Sequence, residues 1–178
     1  MLSFQGVVSF KDRDSEIMGR LLAKEFGVSF SFYDPALPNR DCLIVSADSS
    51  YFQEHEELNT IRHGQVLLSI NHSWLDSAAI SPDIIGFMTQ MYSFPWRGNG
   101  MRVVDMESRT IERIPPDNRS AEEIADDIFN QVLEPEDIST HLSFYAERKE
   151  YLKGIGSRTN NNRYNFMIES PVPGSYFS

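Results

Sequence analysis

The chain has 178 residues, 40% of them hydrophobic and 24% charged, a balance that supports a folded domain of ordinary size rather than a disordered segment. A single cysteine, Cys42, excludes an internal disulfide and a cysteine-rich zinc site, and suits a small buried side chain in "DCLIVSA". The net charge of −10 is concentrated in residues 105–150, with thirteen acids against five bases, so a polyanion such as DNA would meet repulsion over much of the surface.

The N-terminal "MLSFQGVVSFKDRD" lacks the basic stretch and long apolar run of a signal peptide, and the apolar runs elsewhere are too short for a membrane span. A soluble, cytoplasmic protein is expected. In chain order, "FQGVVSF" (4–10) reads as a buried strand. "DSEIMGRLLAKEFG" reads as a helix. Ile17, Met18, Leu21, Leu22 and Phe26 recur at helical spacing, Asp14 or Ser15 is placed to cap the start, and Gly27 to close the end. "VSFSFYD" alternates as a strand. The continuous apolar run of "DCLIVSA" suggests a strand covered on both faces. Only a few residues separate Asp34 from Asp41, too short for a helix, so these two strands are either antiparallel or have lost a crossover helix.

Ser49 and Ser50 can open a short helix toward Ile61. Arg62-His63-Gly64 has the letters of a phosphohistidine nucleophile motif, but the segment before it, "QEHEELNT", is charged and helical where that chemistry needs a strand end. Gly64 is therefore expected as a helix C-cap, with His63 in the last turn. "QVLLSIN" is a further strand. "SPDIIGFMTQMY" (81–92) is expected to be a helix with Ser81 as cap, Pro82 in its first turn, and Ile84, Ile85, Met88, Met91 and Tyr92 as its apolar stripe. "FPWRGNG" reads as a loop, and "MRVVDMES" with "RTIERIPP" as a strand and its hairpin partner. "SAEEIADDIFNQVL" is the clearest helix: Ser120 and Glu123 form a capping box, and Ile124, Ile128, Val132 and Phe129 an apolar stripe.

Strands alternating with helix-length crossovers imply an α/β fold: a central, mostly parallel sheet of about five strands with flanking helices, in flavodoxin-like or Rossmann-like layering. Residues 1–135 form this α/β domain. Residues 136–178 add a C-terminal helix ("DISTHLSFYAERKEYLKG") and an Asn-, Ser- and Pro-rich tail, packed on the domain or extending from it.

No Gly-rich phosphate loop follows the first strand, and no nucleophile elbow or metal-spaced histidine pair occurs. Lys11, Asp34, Asp48, Asn71, His72 and Asp105 fall at strand exits, where open parallel sheets bind ligands. Carboxylates there either hold a divalent ion, if they converge, or cap helices, as Asp12, Asp14 and Asp48 are placed to do. No cofactor and no metal is required by these residues. Glu122, Glu123, Asp126 and Asp127 make an acidic face for a basic protein partner.

"VVSFKDRDSEIMGRLLAKEFGVSFSFYDP", followed by "DCLIVSADSSYF", resembles the opening half of a Toll/interleukin-1 receptor (TIR) domain. That resemblance implies cleavage of NAD, with Glu57 as the catalytic carboxylate; Asp48 is a second catalytic candidate. The family's second helix and its Trp-Cys pair are missing here. Two readings therefore stand. One is a protein that acts by binding a protein partner (an inhibitor, immunity protein or assembly component). The other is an enzyme or sensor acting on a nucleotide or phosphate ligand at the strand ends.

Overall fold

A computed structural model of the chain describes residues 4–60, 62, 64–73, 75, 79–90, 92–98, 100–131, 139 and 163. The expected C-terminal helix apart from Ser139, together with His63, Met91, Val132 and the tail beyond Arg163, lies outside the described residues.

Five strands form one wholly parallel sheet: β1 (Gly6–Ser9), β2 (Ser29–Phe32), β3 (Cys42–Asp48), β4 (Gln65–Ser73) and β5 (Ile84–Thr89). Their order is β2-β1-β3-β4-β5. β2 and β3 flank β1 on opposite sides, both parallel to it, and the Tyr33–Asp41 connection crosses without a helix. Asn39 and Asp41 turn that connection in left-handed conformations, φ 40° and 50°, which short polar side chains tolerate.

Alternation along β1 and β3 separates two apolar layers. Val7, Leu43 and Val45 face α1 (Arg13–Phe26), meeting Ala23, Met18 and Leu22. Val8, Cys42 and Ile44 face the other way, where Phe52 and Leu58 of two 3-10 segments, Ser49–Glu54 and Glu56–Asn59, close the core. Helix α1 begins at Asp12, whose carboxylate accepts from the Ser15 amide at 2.9 Å, and ends at the left-handed Gly27, φ 64°. The cap is thus Asp12, one of the carboxylates placed to cap a helix, and not Asp14 or Ser15. Ser15 is buried instead and accepts from the Ala47 amide at 2.8 Å, joining α1 to β3. A Cβ at Gly19 would come within 2.8 Å of Ser9, so glycine permits the close approach of α1 to β1.

Residues 81–92 do not form the expected helix. Ile84–Thr89 is the fifth strand, paired with β4 from Leu68↔Ile84 to Ser73↔Thr89. Three influences favour the strand. Ile84 and Ile85 are β-branched, Gly86 weakens a helix, and β4 offers an open row of backbone groups. Asp83 starts the pairing: its backbone amide donates to the Leu67 carbonyl, and its carboxylate accepts from the Leu67 amide, both at 2.9 Å. Gly86 also passes close to the Ile70 carbonyl, 2.8 Å from where a Cβ would sit.

The last part of the described chain is a two-stranded antiparallel hairpin, β6 (Met101–Asp105) with β7 (Thr110–Arg113), separate from the main sheet, and α2 (Ala121–Phe129). The Ser120–Glu123 capping box is present. Ile124 and Ala125 are buried against Ile17 and Trp96, and Ile128 is half-buried at the rim. Among the described residues, no helix is long and apolar enough to cross a membrane.

Candidate functional site

In the order β2-β1-β3-β4-β5 the chain reverses direction across the sheet between β1 and β3, and that crevice is where ligands enter open α/β sheets. The β1–α1 loop supplies one wall, Phe10, Lys11 and Asp12, and the segment after β3 the other, Tyr51, Glu54 and His55. Tyr33, at the end of β2, closes the back of this groove, about 300 Å³ in volume. Its interior is aromatic. His55 stacks on Phe10 with ring centres 4.9 Å apart and meets the edge of Tyr33 at the same distance.

A second groove, about 380 Å³, lies on the other side of Tyr51. Asp48 lines it from the end of β3, Ser50 from the 3-10 segment that follows, Ser73 from β4, Gln90 from beyond β5, and Tyr92 and Arg97 from the chain after it. Tyr51 thus separates two adjoining grooves at the sheet's carboxyl end. Buried Asp14 fixes the far wall of the second groove: Trp96 Nε1 and two nitrogens of Arg97 all donate to its carboxylate. The paired carboxylate holds Arg97 firmly in its charged form.

Asp48 has a structural duty too. Its Oδ1 accepts from the Ser50 amide at 2.9 Å, capping the 3-10 segment, and its Oδ2 accepts from Asn71 at 3.3 Å. Asn71 in turn accepts from the Thr89 hydroxyl at 2.6 Å, so one polar chain joins the ends of β3, β4 and β5. His72 is fully buried, its Nδ1 2.6 Å from the Ser49 hydroxyl, and takes no part in the groove walls.

Of the residues expected at strand exits, Lys11 and Asp48 line the grooves and Asn71 supports Asp48. Asp34 and Asp105 do not join them. Asp34 accepts from the Ala36 amide within its own turn. Asp105 belongs to the separate β6–β7 hairpin, where Ser108 and the Glu107 amide bond its carboxylate and hold its pKa low. Asp34, Asp48 and Asp105 thus do not make a convergent carboxylate cluster among the described residues. Among the described residues no cluster of three His, Cys, Asp or Glu side chains suits a metal ion.

Glu57 stands behind the first groove and is not one of its lining side chains. It accepts from the Tyr33 hydroxyl at 2.7 Å and is 3.1 Å from His55 Nδ1. Burial alone would raise its pKa, but the hydrogen bonds from Tyr33, the backbone and His55 outweigh this and lower it. The same contact, added to burial, pushes the Tyr33 phenol well above its usual range. Gly64 has φ 72°, in a turn where the Gln65 amide donates to the Arg62 carbonyl at 3.1 Å. It therefore leads into β4 and is not a helix cap, since the preceding 3-10 segment has already ended at Asn59.

Each acid of the expected partner face has an intramolecular partner. Glu122 lies 3.5 Å from Arg20, Asp126 pairs with Lys24, and Asp127 lies 3.1 Å from Arg119. Glu123 closes the capping box. Sequence reading missed Tyr33, Tyr51, Tyr92, His55 and Arg97 as site residues. Isolated aromatic residues carry no spacing signal, and only the strand order brings these together. No family model, curated protein or solved structure matches the chain.

Proposed function

We propose that the chain is an enzyme or sensor that binds a small ring-bearing ligand of the nucleoside or nucleotide class at the carboxyl end of its sheet. The observation that carries this reading is the pair of grooves sharing Tyr51 at the β1/β3 reversal, one aromatic and one polar. The aromatic groove suits a flat ring, and the hydroxyl, amide and carboxylate groups of the other suit its polar substituent. Cleavage of NAD, implied by the resemblance to TIR domains, is one reaction to test. Here Glu57 would act through Tyr33 and His55, because these two side chains stand between it and the groove.

A cytoplasmic setting agrees with a chain whose one cysteine is a buried free thiol. Binding of a basic protein through Glu122, Glu123, Asp126 and Asp127 is less favoured, because a partner would have to compete with Arg20, Lys24 and Arg119.

The test is calorimetric and thermal-shift titration of the full chain with a panel of nucleosides and nucleotides, NAD included. A ligand present at 100 times its Kd should stabilise the fold by about 2.7 kcal/mol. Tyr51→Ala should abolish the shift while leaving the far-ultraviolet circular dichroism intact. No shift across the panel, or a shift indifferent to Tyr51→Ala, would remove the proposal.

A further inference from the structure

The charges and hydrogen-bonding groups around the crevice restrict what the ligand can carry. A phosphate group offers mainly acceptors and negative charge, and needs cations or several N–H donors to receive it. The crevice presents mostly the opposite. Asp12 and Glu54 stand against Lys11 in the aromatic groove. Asp12 Oδ1 caps α1, so the positive end of that helix is already faced by a carboxylate, and its enclosed Oδ2 accepts no hydrogen bond among the described residues. In the polar groove the one cation is Arg97, already matched by buried Asp14, which leaves Asp48 as the excess charge among the described lining residues. Tyr51, between the two grooves, has its phenol pKa raised by burial first and then by Asp12, Asp14 and Asp48, which outweigh the opposing effect of Arg97.

We infer that the crevice selects a donor-rich ring compound without phosphate, of the nucleoside class, with Asp48 accepting hydrogen bonds from its sugar hydroxyls. This rests on the ring-ligand reading above and narrows it. Asp48 is fixed for that role, since the Ser50 amide and Asn71 hold its carboxylate while the side chain still lines the groove. A carboxylate has about four lone-pair positions, and two donors leave room for a vicinal diol. Tyr51 and Tyr92 line the same groove beside it, and aromatic side chains there suit contact with the ring of a base. A nucleotide would place its phosphate against an excess of carboxylates.

The test compares adenosine and cytidine with their 5′-monophosphates by calorimetry on the full chain, at low and at physiological salt. The nucleosides should bind at least tenfold more tightly at low salt, and the gap should narrow as salt screens the repulsion. Asp48→Asn should weaken nucleoside binding and shrink the difference. Because Asn caps nearly as well as Asp, this variant should keep its melting temperature. Monophosphates binding as tightly as nucleosides, or more tightly, would overturn the inference and leave the ring-ligand reading standing. If neither set binds, the inference falls, and the ring-ligand reading falls with it only when the wider panel above also gives no shift.

Discussion

Glu57 receives a hydrogen bond from Tyr33 and lies beside His55, and this sets the direction of its effect on stability. Its folded pKa is lowered, so its contribution is fully present above the unfolded value near 4.5 and is lost as pH falls through the lower folded value. Glu57→Gln keeps an acceptor for Tyr33 but removes the ionisation. The melting-temperature gap between wild type and this variant should therefore be constant at neutral pH and close in acid. A gap that does not change with pH would show that the Glu57 charge is not what Tyr33 and His55 stabilise. Cys42 behaves in the opposite sense. Burial, aided by Asp41, pushes its thiol up to about 11. At pH 8 roughly one molecule in a thousand would carry the reactive thiolate, and the buried position limits access further. A thiol reagent should label the folded chain very slowly and the denatured chain at once. Rapid labelling of the folded chain would contradict the buried position.

At the scale of elements, Arg163 joins the C-terminal segment to the sheet. Its side chain is 1% exposed and pairs with Asp83 at 2.9 Å. Its guanidinium also donates to the carbonyls of Leu58, Thr60 and Gln65, while its backbone amide donates to Asn59. Removing the guanidinium leaves the carbonyls of Leu58, Thr60 and Gln65 without that donor, while the exposed Asp83 keeps the Leu67 amide, so Arg163→Ala should cost about 1–3 kcal/mol by chemical denaturation. Arg163→Lys should recover only part, since an ammonium cannot span the same acceptors. A loss below about 1 kcal/mol would mean that water replaces the guanidinium there. On α2, Ile124→Ala should cost about 2–5 kcal/mol, and half-buried Ile128→Ala less. Local signals were readable wherever one element supplies them. The apolar runs marked β3 and β4, Gly27 marked the end of α1, and Ser120–Glu123 the start of α2. The β5 segment misled because Ile84, Ile85 and Met88 fit a helical stripe as well as a strand, and the deciding partner, β4, lies more than ten residues away in sequence. Asp34 and Asp105 likewise looked equivalent to Asp48, since exit from a strand is local but convergence depends on strand order.

Across the whole molecule, acids outnumber bases, yet the surface is not uniformly unpaired. Arg20 and Lys24 of α1 face Glu122 and Asp126 of α2, a seam of ion pairs over the buried Ile17–Ile124 contact. Such exposed pairs contribute about 0–1 kcal/mol each, so the apolar contact beneath them holds the helices together. Carboxylates matter more at the sheet's carboxyl end, where they stand beside buried and half-buried phenols. Tyr33, Tyr51 and Tyr92 meet there, and the phenol pKa of each is raised, by burial first and then by neighbouring carboxylates: Glu57 for Tyr33, Asp12 for Tyr51 and Asp48 for Tyr92. The unfolded chain ionises its phenols near pH 10, before the folded chain does. The stability held by these three groups is therefore complete below that pH and is lost as pH rises toward the folded values. Melting temperatures should fall steeply above about pH 10. In Tyr92→Phe, which keeps the ring and removes the ionisable hydroxyl, the fall should be shallower, while the neutral-pH melting temperature changes little. An ultraviolet titration should show Tyr33, Tyr51 and Tyr92 ionising above the ordinary phenol range near pH 10. An alkaline slope identical in wild type and Tyr92→Phe would place the alkaline sensitivity elsewhere and weaken the picture of an enclosed, carboxylate-rich crevice.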